Sequence, residues 1–420
     1  MKKLLAGSAL AAFAAALALV VFAAGSNGNG DLRVGGVGRL TMAVYGDSPY
    51  SQVNADYTQP APYGVDTSEF DATPGFIDAM NKDNQVSLVV HVGDIHSGHE
   101  PCTLAYDASI YDLWTGFHDP LVYTPGDNEW ADCNKSGEAG NVKDTSGNYI
   151  DYANGDPVAN LALIRQLFFS QPGETLGGGN MKVVSQGEAF DPNHPTDAEY
   201  VENVMWEQAD VMFVTVNIPG GSNNDTDIWY KAVTETGEQT QERNQRTAAD
   251  IRWLDAAFAQ AEADHLGGVV IVTQADMWDL DGNATDDATK IKRLGNLDPI
   301  IQDIATNTTN FGKSVLLFNG DSHVYRSDNP MVNDPGGAHC LIENGPDATT
   351  QCTDNPAGTL ANAWATHPNL NTLNVPNFHR VTVHGNTKPL EYLRLTVDTQ
   401  HPPTPGSTSF GPFSWERVHP

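Results

Sequence analysis

Basic residues are scarce in this chain. Only 22 Lys and Arg stand against 53 Asp and Glu in 420 residues, a formal net charge of -31 at pH 7. So negative a surface repels phosphate backbones at long range, which excludes nucleic acid as a partner and argues equally against anionic lipid. Charged residues total 18% while hydrophobic residues reach 40%, so wholesale disorder is excluded and a sizeable core can form. Cysteine is nearly missing, with four in all. None sits in a C-x-x-C pair, so a four-cysteine zinc knuckle is excluded as well. No fixed-period repeat occurs, and no Pro-, Gly- or Ser-rich linker divides the chain. The length suits one large α/β domain or two smaller ones.

Long apolar runs are confined to one place. Lys2 and Lys3 precede an unbroken Ala/Leu/Val-rich stretch from Leu4 to Ala24, followed by GSNGNG. This reads as a signal peptide over 1–24, with cleavage after Ala23 or Ala24 fitting equally. An uncleaved anchor is the rival, since the run is nearly long enough to span a bilayer. Export places the protein in a secreted or periplasmic, oxidising setting, with no membrane association once the leader is removed. There the cysteines read as two local couples, Cys102 with Cys133 and Cys340 with Cys352.

What the sequence does have is a recurring strand-length apolar run ending at Gly-Asp. RLTMAVYGD ends at Asp47, QVSLVVHVGD at Asp94, LVYTPGD at Asp127 and SVLLFNGD at Asp321. Near-continuous Val/Leu runs predict strands buried on both faces of a sheet. Helical patterns fall between them at roughly 74–82, 105–117, 158–169 and 246–264. VMFVTVNI and VVIVTQ, two further strands, bracket the last of these. Alternation of this kind predicts an α/β domain over 31–400. FHRVTVHG and YLRLTV read as a closing hairpin or edge strands, and 401–420 as a Pro-rich C-terminal strap. Polar, Gly-rich insertions are expected around 134–156, 171–198 and 221–245.

In an α/β sheet, ligands bind beyond the carboxyl ends of the strands. A single Gly-Asp there is an ordinary turn; four of them bring carboxylates together. Like charges so close cannot all stay ionised unless cations or donors neutralise them. A metal cluster is the simplest resolution.

At this point the chain resembles the calcineurin-like metallophosphoesterase superfamily, which includes the purple acid phosphatases. The blocks that carry the resemblance are GDSP at 46–49, GDIH at 93–96, GDNE at 126–129, VTQAD at 272–276 and GDSH at 320–323. They run in the family's order over roughly 38–326, and NVMWEQADVMFVTVNI is similar to its middle strand pair. The resemblance implies a two-sheet α/β/β/α sandwich and two divalent metal ions bridged by Asp94. One metal would take Asp47, Asp94 and His323; the other Asp94, Asp127, Gln274 and Asp321.

Departures from the family pattern shape the chemistry. Pro49, Asp127, Asn128, Gln274 and Asp321 stand where relatives carry, in order, a His ligand, an Asn ligand, a proton-donating His, a lone His and the first His of the last pair. Replacing imidazole by oxygen donors points to Mn, Mg or Ca rather than Fe or Zn. Ser97 occupies the place of the tyrosine that a purple iron site needs. Asn128 and His96 are the candidate catalytic side chains, Asn128 as a hydrogen-bond donor and His96 as a relocated acid; His99 and Glu100 lie in the same loop. Glu129 is expected to orient its neighbours, His91 to be a satisfied core histidine, and Trp130, Trp278 and Tyr325 either to line the mouth or to serve in packing. The function so implied is hydrolysis of small phosphate mono- or diesters by a metal-activated hydroxide. The alternative is a catalytically degenerate, metal-binding extracellular protein on the same fold. A serine-nucleophile hydrolase is excluded, because no G-x-S-x-G elbow occurs. Substrate identity and oligomeric state are not written in these residues.

Overall fold

A computed structural model of the chain describes residues 38–50, 52–53, 65–135, 143–144, 146–224, 228–278, 295–332, 341–343, 349–351, 370–386 and 390–420. The expected signal peptide and the Cys340–Cys352 couple lie outside the described residues. In chain order the main elements begin with β1 (Arg39–Tyr45), α1 (Ser68–Lys82), β2 (Val89–His91), α2 (Leu104–Trp114), β3 (Pro120–Tyr123) and α3 (Pro157–Phe168). Next come β4 (Val204–Gln208), β5 (Val211–Thr215), α4 (Gly220–Asn224), α5 (Gly237–Ala263), β6 (Gly268–Val272) and α6 (Asp298–Phe311). The series closes with β7 (Ser314–Asn319), β8 (Arg326–Asp328), β9 (Phe378–Thr382), β10 (Tyr392–Asp398) and β11 (Phe413–Val418).

These strands form two mixed sheets. Among the described residues the first has seven strands and the second nine, the first with the order β11-β10-β1-β2-β3 at its centre. The second has the order β8-β9-β7-β6-β5-β4 at its centre. β1, β2 and β3 run parallel, as do β5, β6, β7 and β9.

The period-2 alternation of each strand decides which layer it feeds. On β1, Leu40, Met42 and Val44 point between the sheets, where they meet Phe213, Val270, Val272, Leu316 and Phe318. Ala43 and Tyr45 point the other way, onto Phe76, Met80 and Trp114 of α1 and α2. On β7, Leu316 and Phe318 face the inter-sheet core, whereas Val315 and Leu317 pack on Trp253, Leu254, Ile300 and Ile304 of α5 and α6. Helices thus cover the outer face of each sheet, giving the two-sheet α/β/β/α sandwich expected from the sequence. Each such buried aliphatic side chain contributes about 1.5–3 kcal/mol.

Several elements differ from expectation. α1 begins at Ser68 and carries Pro74 inside it, so that proline does not open the helix. α5 starts at Gly237, within the stretch expected to be an insertion, with the Thr236 side chain accepting from Gln239 N. Its first half is polar yet buried: the Arg246 guanidinium donates to Asn217 O and to Asn223 Oδ1. α6 was not expected, because five of its last six residues before Phe311 are Thr or Asn, poor helix formers; tertiary burial of Ile300, Ile301 and Ile304 holds it. β9 and β10 do not form a hairpin with each other, since β9 pairs with β7 in the second sheet and β10 with β1 in the first. Within 401–420, Ser409–Phe410 forms a short strand against β11, and β11 pairs along β10 and buries Phe413 and Trp415, so the irregular part of the strap lies before Ser409.

Candidate metal centre

Parallel strands place their carboxyl ends on one edge of each sheet, and here the two edges meet. The turn after β1 carries Asp47, the turn after β2 Asp94, the turn after β3 Asp127, the turn after β6 Gln274, and the turn after β7 both Asp321 and His323. Four of these adopt left-handed backbone: Asp47 at φ 47°, Asp94 at 58°, Asp321 at 72° and His323 at 57°. That region disfavours side chains with a Cβ and collects at functional sites. The glycines beside them are required by proximity. A Cβ on Gly126 would stand 1.9 Å from Asp94 Oδ1, and one on Gly320 2.3 Å from Asp47 Oδ2.

The result is a compact donor set. Ligand-capable atoms of Asp47, Asp94 and His323 all lie within 4.8 Å of one another, with His323 Nε2 3.6 Å from Asp47 Oδ1. Asp47 is fully buried and its Oδ2 has no hydrogen-bond partner among the described residues. An orphaned, buried carboxylate oxygen is costly unless something binds it. Burial pushes the carboxyls of Asp47, Asp94 and Asp127 well above the ordinary range, and their mutual repulsion, joined by that of Glu129 and Asp321, raises Asp47 and Asp94 further. Burial lowers His323 to about 4, which keeps its imidazole neutral, the form that ligates. Two buried carboxylates and a neutral imidazole fit one divalent cation.

Asp127, Gln274 and Asp321 border this set and are engaged otherwise. Gly220 N donates to Gln274 Oε1, while Gln274 Nε2 donates to Asp94 Oδ2 at 3.2 Å and to Asp127 Oδ1 at 3.0 Å. Asp321 Oδ2 accepts from Asp276 N at 3.1 Å. Asn128 Nδ2 donates to Asp94 Oδ2, to the Tyr50 hydroxyl and to the His96 carbonyl, each at 3.0 Å. Glu129 is fully buried, its Oε1 accepting from the Tyr123 hydroxyl and from Gly126 N; it fixes the turn that presents Asp127.

His96 meets the cluster through its carbonyl. Its ring is buried edge-on to Tyr106, with Nδ1 3.0 Å from Ser97 O. His91 lies in the core, Nε2 donating to Ser48 O and Nδ1 accepting from Gly93 N, so it ties the first two turns together. Of the two roles open to Trp130, Trp278 and Tyr325, packing is the one found: all three are buried. Cys102 and Cys133 are joined, clamping the Asp127–Glu129 segment to the start of α2.

Two residues escaped the sequence reading. Tyr50 donates to Asp94 Oδ2 at 2.7 Å and lies 3.0 Å from His323 Nε2. Its position next to Pro49, where a ligand was missing, was the available signal. Asp276 is buried between Arg326 and Arg380, with Nη1 atoms at 3.2 and 2.5 Å, and accepts from the Ser322 hydroxyl. It braces the loop that carries Asp321 and His323.

No family model matches the chain, and no curated protein does. Among solved structures it is similar to a purple acid phosphatase isolated from yellow lupin (Lupinus luteus) seeds, at 10% sequence identity and a TM-score of 0.38. The likeness covers 86% of this chain and 50% of that one, so the chain spans about half the length of this neighbour. Similarity at that level adds nothing to the chemistry, which rests on the side chains above.

Proposed function

We propose that the protein is a metal-dependent phosphoesterase, acting on small phosphate mono- or diesters in a secreted or periplasmic setting. The observation that carries this reading is the set of buried Asp47 and Asp94 with partly exposed His323 at the meeting of two sheet edges, one Asp47 oxygen having no hydrogen-bond partner among the described residues. A divalent cation held there supplies Lewis acidity and a water of lowered pKa. Oxygen-rich surroundings favour Mn²⁺, Mg²⁺ or Ca²⁺; the resemblance implies two such ions, and the number held is a separate question. Positive charge at this point also offsets the local carboxylates, letting an anionic ester approach an acidic protein.

The chain's own residues hold the rest. Asn128 and Gln274 present amide N–H groups that fix Asp94, Tyr50 links Asp94 to His323, and Glu129 holds the Asp127 turn. The Cys102–Cys133 bridge fits an oxidising compartment, and no helix among the described residues is long and apolar enough to cross a membrane.

A second reading, cation binding without turnover, is favoured by one observation. Asn128 stands where a proton donor is expected, and its amide is already committed to three acceptors. Turnover of nitrophenyl phosphate mono- and diesters, with chelator and with each of Mn²⁺, Mg²⁺ and Ca²⁺ added back, separates the two. Metal-restored hydrolysis supports the enzyme; metal binding without hydrolysis supports the second reading.

A further inference from the structure

We propose that the amide of Gln274 stands in for a second cation, so that the centre loads a single divalent ion at Asp47, Asp94 and His323. This rests on the metal reading above and deepens it.

The orientation of the amide is fixed from two sides. Gly220 N donates to Oε1, and Nε2 faces the carboxylates of Asp94 and Asp127. Flipping the group would set an NH₂ against the Gly220 N–H and an oxygen against two carboxylates, so each contact selects the same assignment. Both N–H bonds of Gln274 are therefore spent on the two carboxylates that a second cation would share.

Asp94 keeps Oδ1, which accepts from Asn128 N at 3.3 Å, for one ion, while Gln274 is the third donor on its other oxygen. Its Oδ2 accepts from the Tyr50 hydroxyl at 2.7 Å, from Asn128 Nδ2 at 3.0 Å and from Gln274 Nε2 at 3.2 Å. Three donors on one carboxylate oxygen leave it no lone pair for bridging. Withdrawal of the amide is also obstructed. The stem of Gln274 lies against the Gly93 backbone, where a Cβ would meet Gln274 Cβ and Cγ at 2.7 Å. On the far side, a Cβ on Gly220 would meet Asp321 Oδ1 at 2.4 Å and Asp127 Oδ2 at 2.7 Å, so those carboxylates are walled in by that same backbone. An imidazole or carboxylate at position 274 would offer a lone pair where Gln274 offers protons. The side chain thereby sets the metal count.

The test is the stoichiometry of Mn²⁺ on the chelator-stripped full chain, read by native mass spectrometry and by calorimetric titration. Wild type is expected to take one Mn²⁺ per chain in one saturable step. Gln274→Glu, which replaces the NH₂ by a ligating oxygen, is expected to take two, and Gln274→His asks the same if the added charge prevents folding. Two equivalents of similar affinity in wild type would overturn the proposal and leave the metal reading intact. No binding in wild type would overturn both. A folded Gln274→Glu or Gln274→His that still takes one ion would show that the amide is not what excludes the second.

Discussion

Asp321 N donates to Asp47 Oδ1 at 2.8 Å, joining the end of β7 in one sheet to the end of β1 in the other across 274 residues of sequence. This bond does locally what the inter-sheet core does globally: it fixes the distance between the two strand edges. It occupies Asp47 Oδ1, the oxygen 3.6 Å from His323 Nε2, and leaves Oδ2 with no hydrogen-bond partner among the described residues.

Gly320 makes that approach possible, because a Cβ there would stand 2.3 Å from Asp47 Oδ2. Gly320→Ala should displace Asp47, lower Mn²⁺ affinity at least tenfold and cost about 1–3 kcal/mol of stability, the usual penalty of overpacking. Calorimetric titration and urea unfolding check the two effects separately.

Stability should depend on pH with a defined sign. Burial and mutual repulsion raise Asp47, Asp94 and Asp127 above their ordinary values, so the folded state holds protons that the unfolded chain releases. Stability must then fall as pH rises from the ordinary carboxylate range, near 4, towards these raised values. Saturating Mn²⁺ should flatten that fall by favouring the ionised forms. Urea unfolding from pH 4 to 8, with chelator and with Mn²⁺, measures both slopes; equal slopes would contradict the account.

Asp276 is the opposite case. Burial alone would raise its carboxyl, yet Arg380 and Arg326 hold it below the ordinary value. Asp276→Ala leaves those guanidiniums buried beside a lost partner and should cost about 3–5 kcal/mol. The same change frees the loop of Asp321 and His323, so Mn²⁺ affinity should fall with it. A change under 1 kcal/mol in denaturant unfolding would mean that the arginines find other partners.

Much of this was legible beforehand. The four Gly-Asp ends and the helix-covered strands follow from apolar runs of strand length, because a strand buried on both faces leaves a clear sequence mark; the two-sheet layer order came from the family resemblance. Asp47 and Asp94 were therefore within reach as candidates, and His323 through the resemblance. Gln274's true role was not, since a sequence names an amide without saying which of its ends faces a carboxylate; only the Gly220 N–H decides that. Tyr50 and Asp276 were hidden for a related reason, as their partners lie far away in the chain. The polar half of α5 and the Thr/Asn end of α6 were missed because burial there is set by tertiary partners and not by hydrophobic periodicity.

Asn128 bears on the choice of substrate. An amide cannot give a proton to a departing alkoxide, and loss of general-acid help is typically worth about 10²–10⁴-fold. Turnover should thus favour aryl, phosphoanhydride or other low-pKa leaving groups, falling steeply as leaving-group pKa rises. A flat dependence, steepened by His96→Ala or His99→Ala, would show that the acid has moved to the neighbouring loop; one untouched by either change would refute the argument.

A cation seated at Asp47, Asp94 and His323 is the central claim. Anomalous difference density from crystals soaked in Mn²⁺, recorded at the manganese edge, tests this directly. The expected result is one strong peak contacted by Asp47, Asp94 and His323, absent from Asp94→Ala crystals. A peak elsewhere, or none at this position with Mn²⁺ in excess, would contradict the assignment of these three residues as a metal centre.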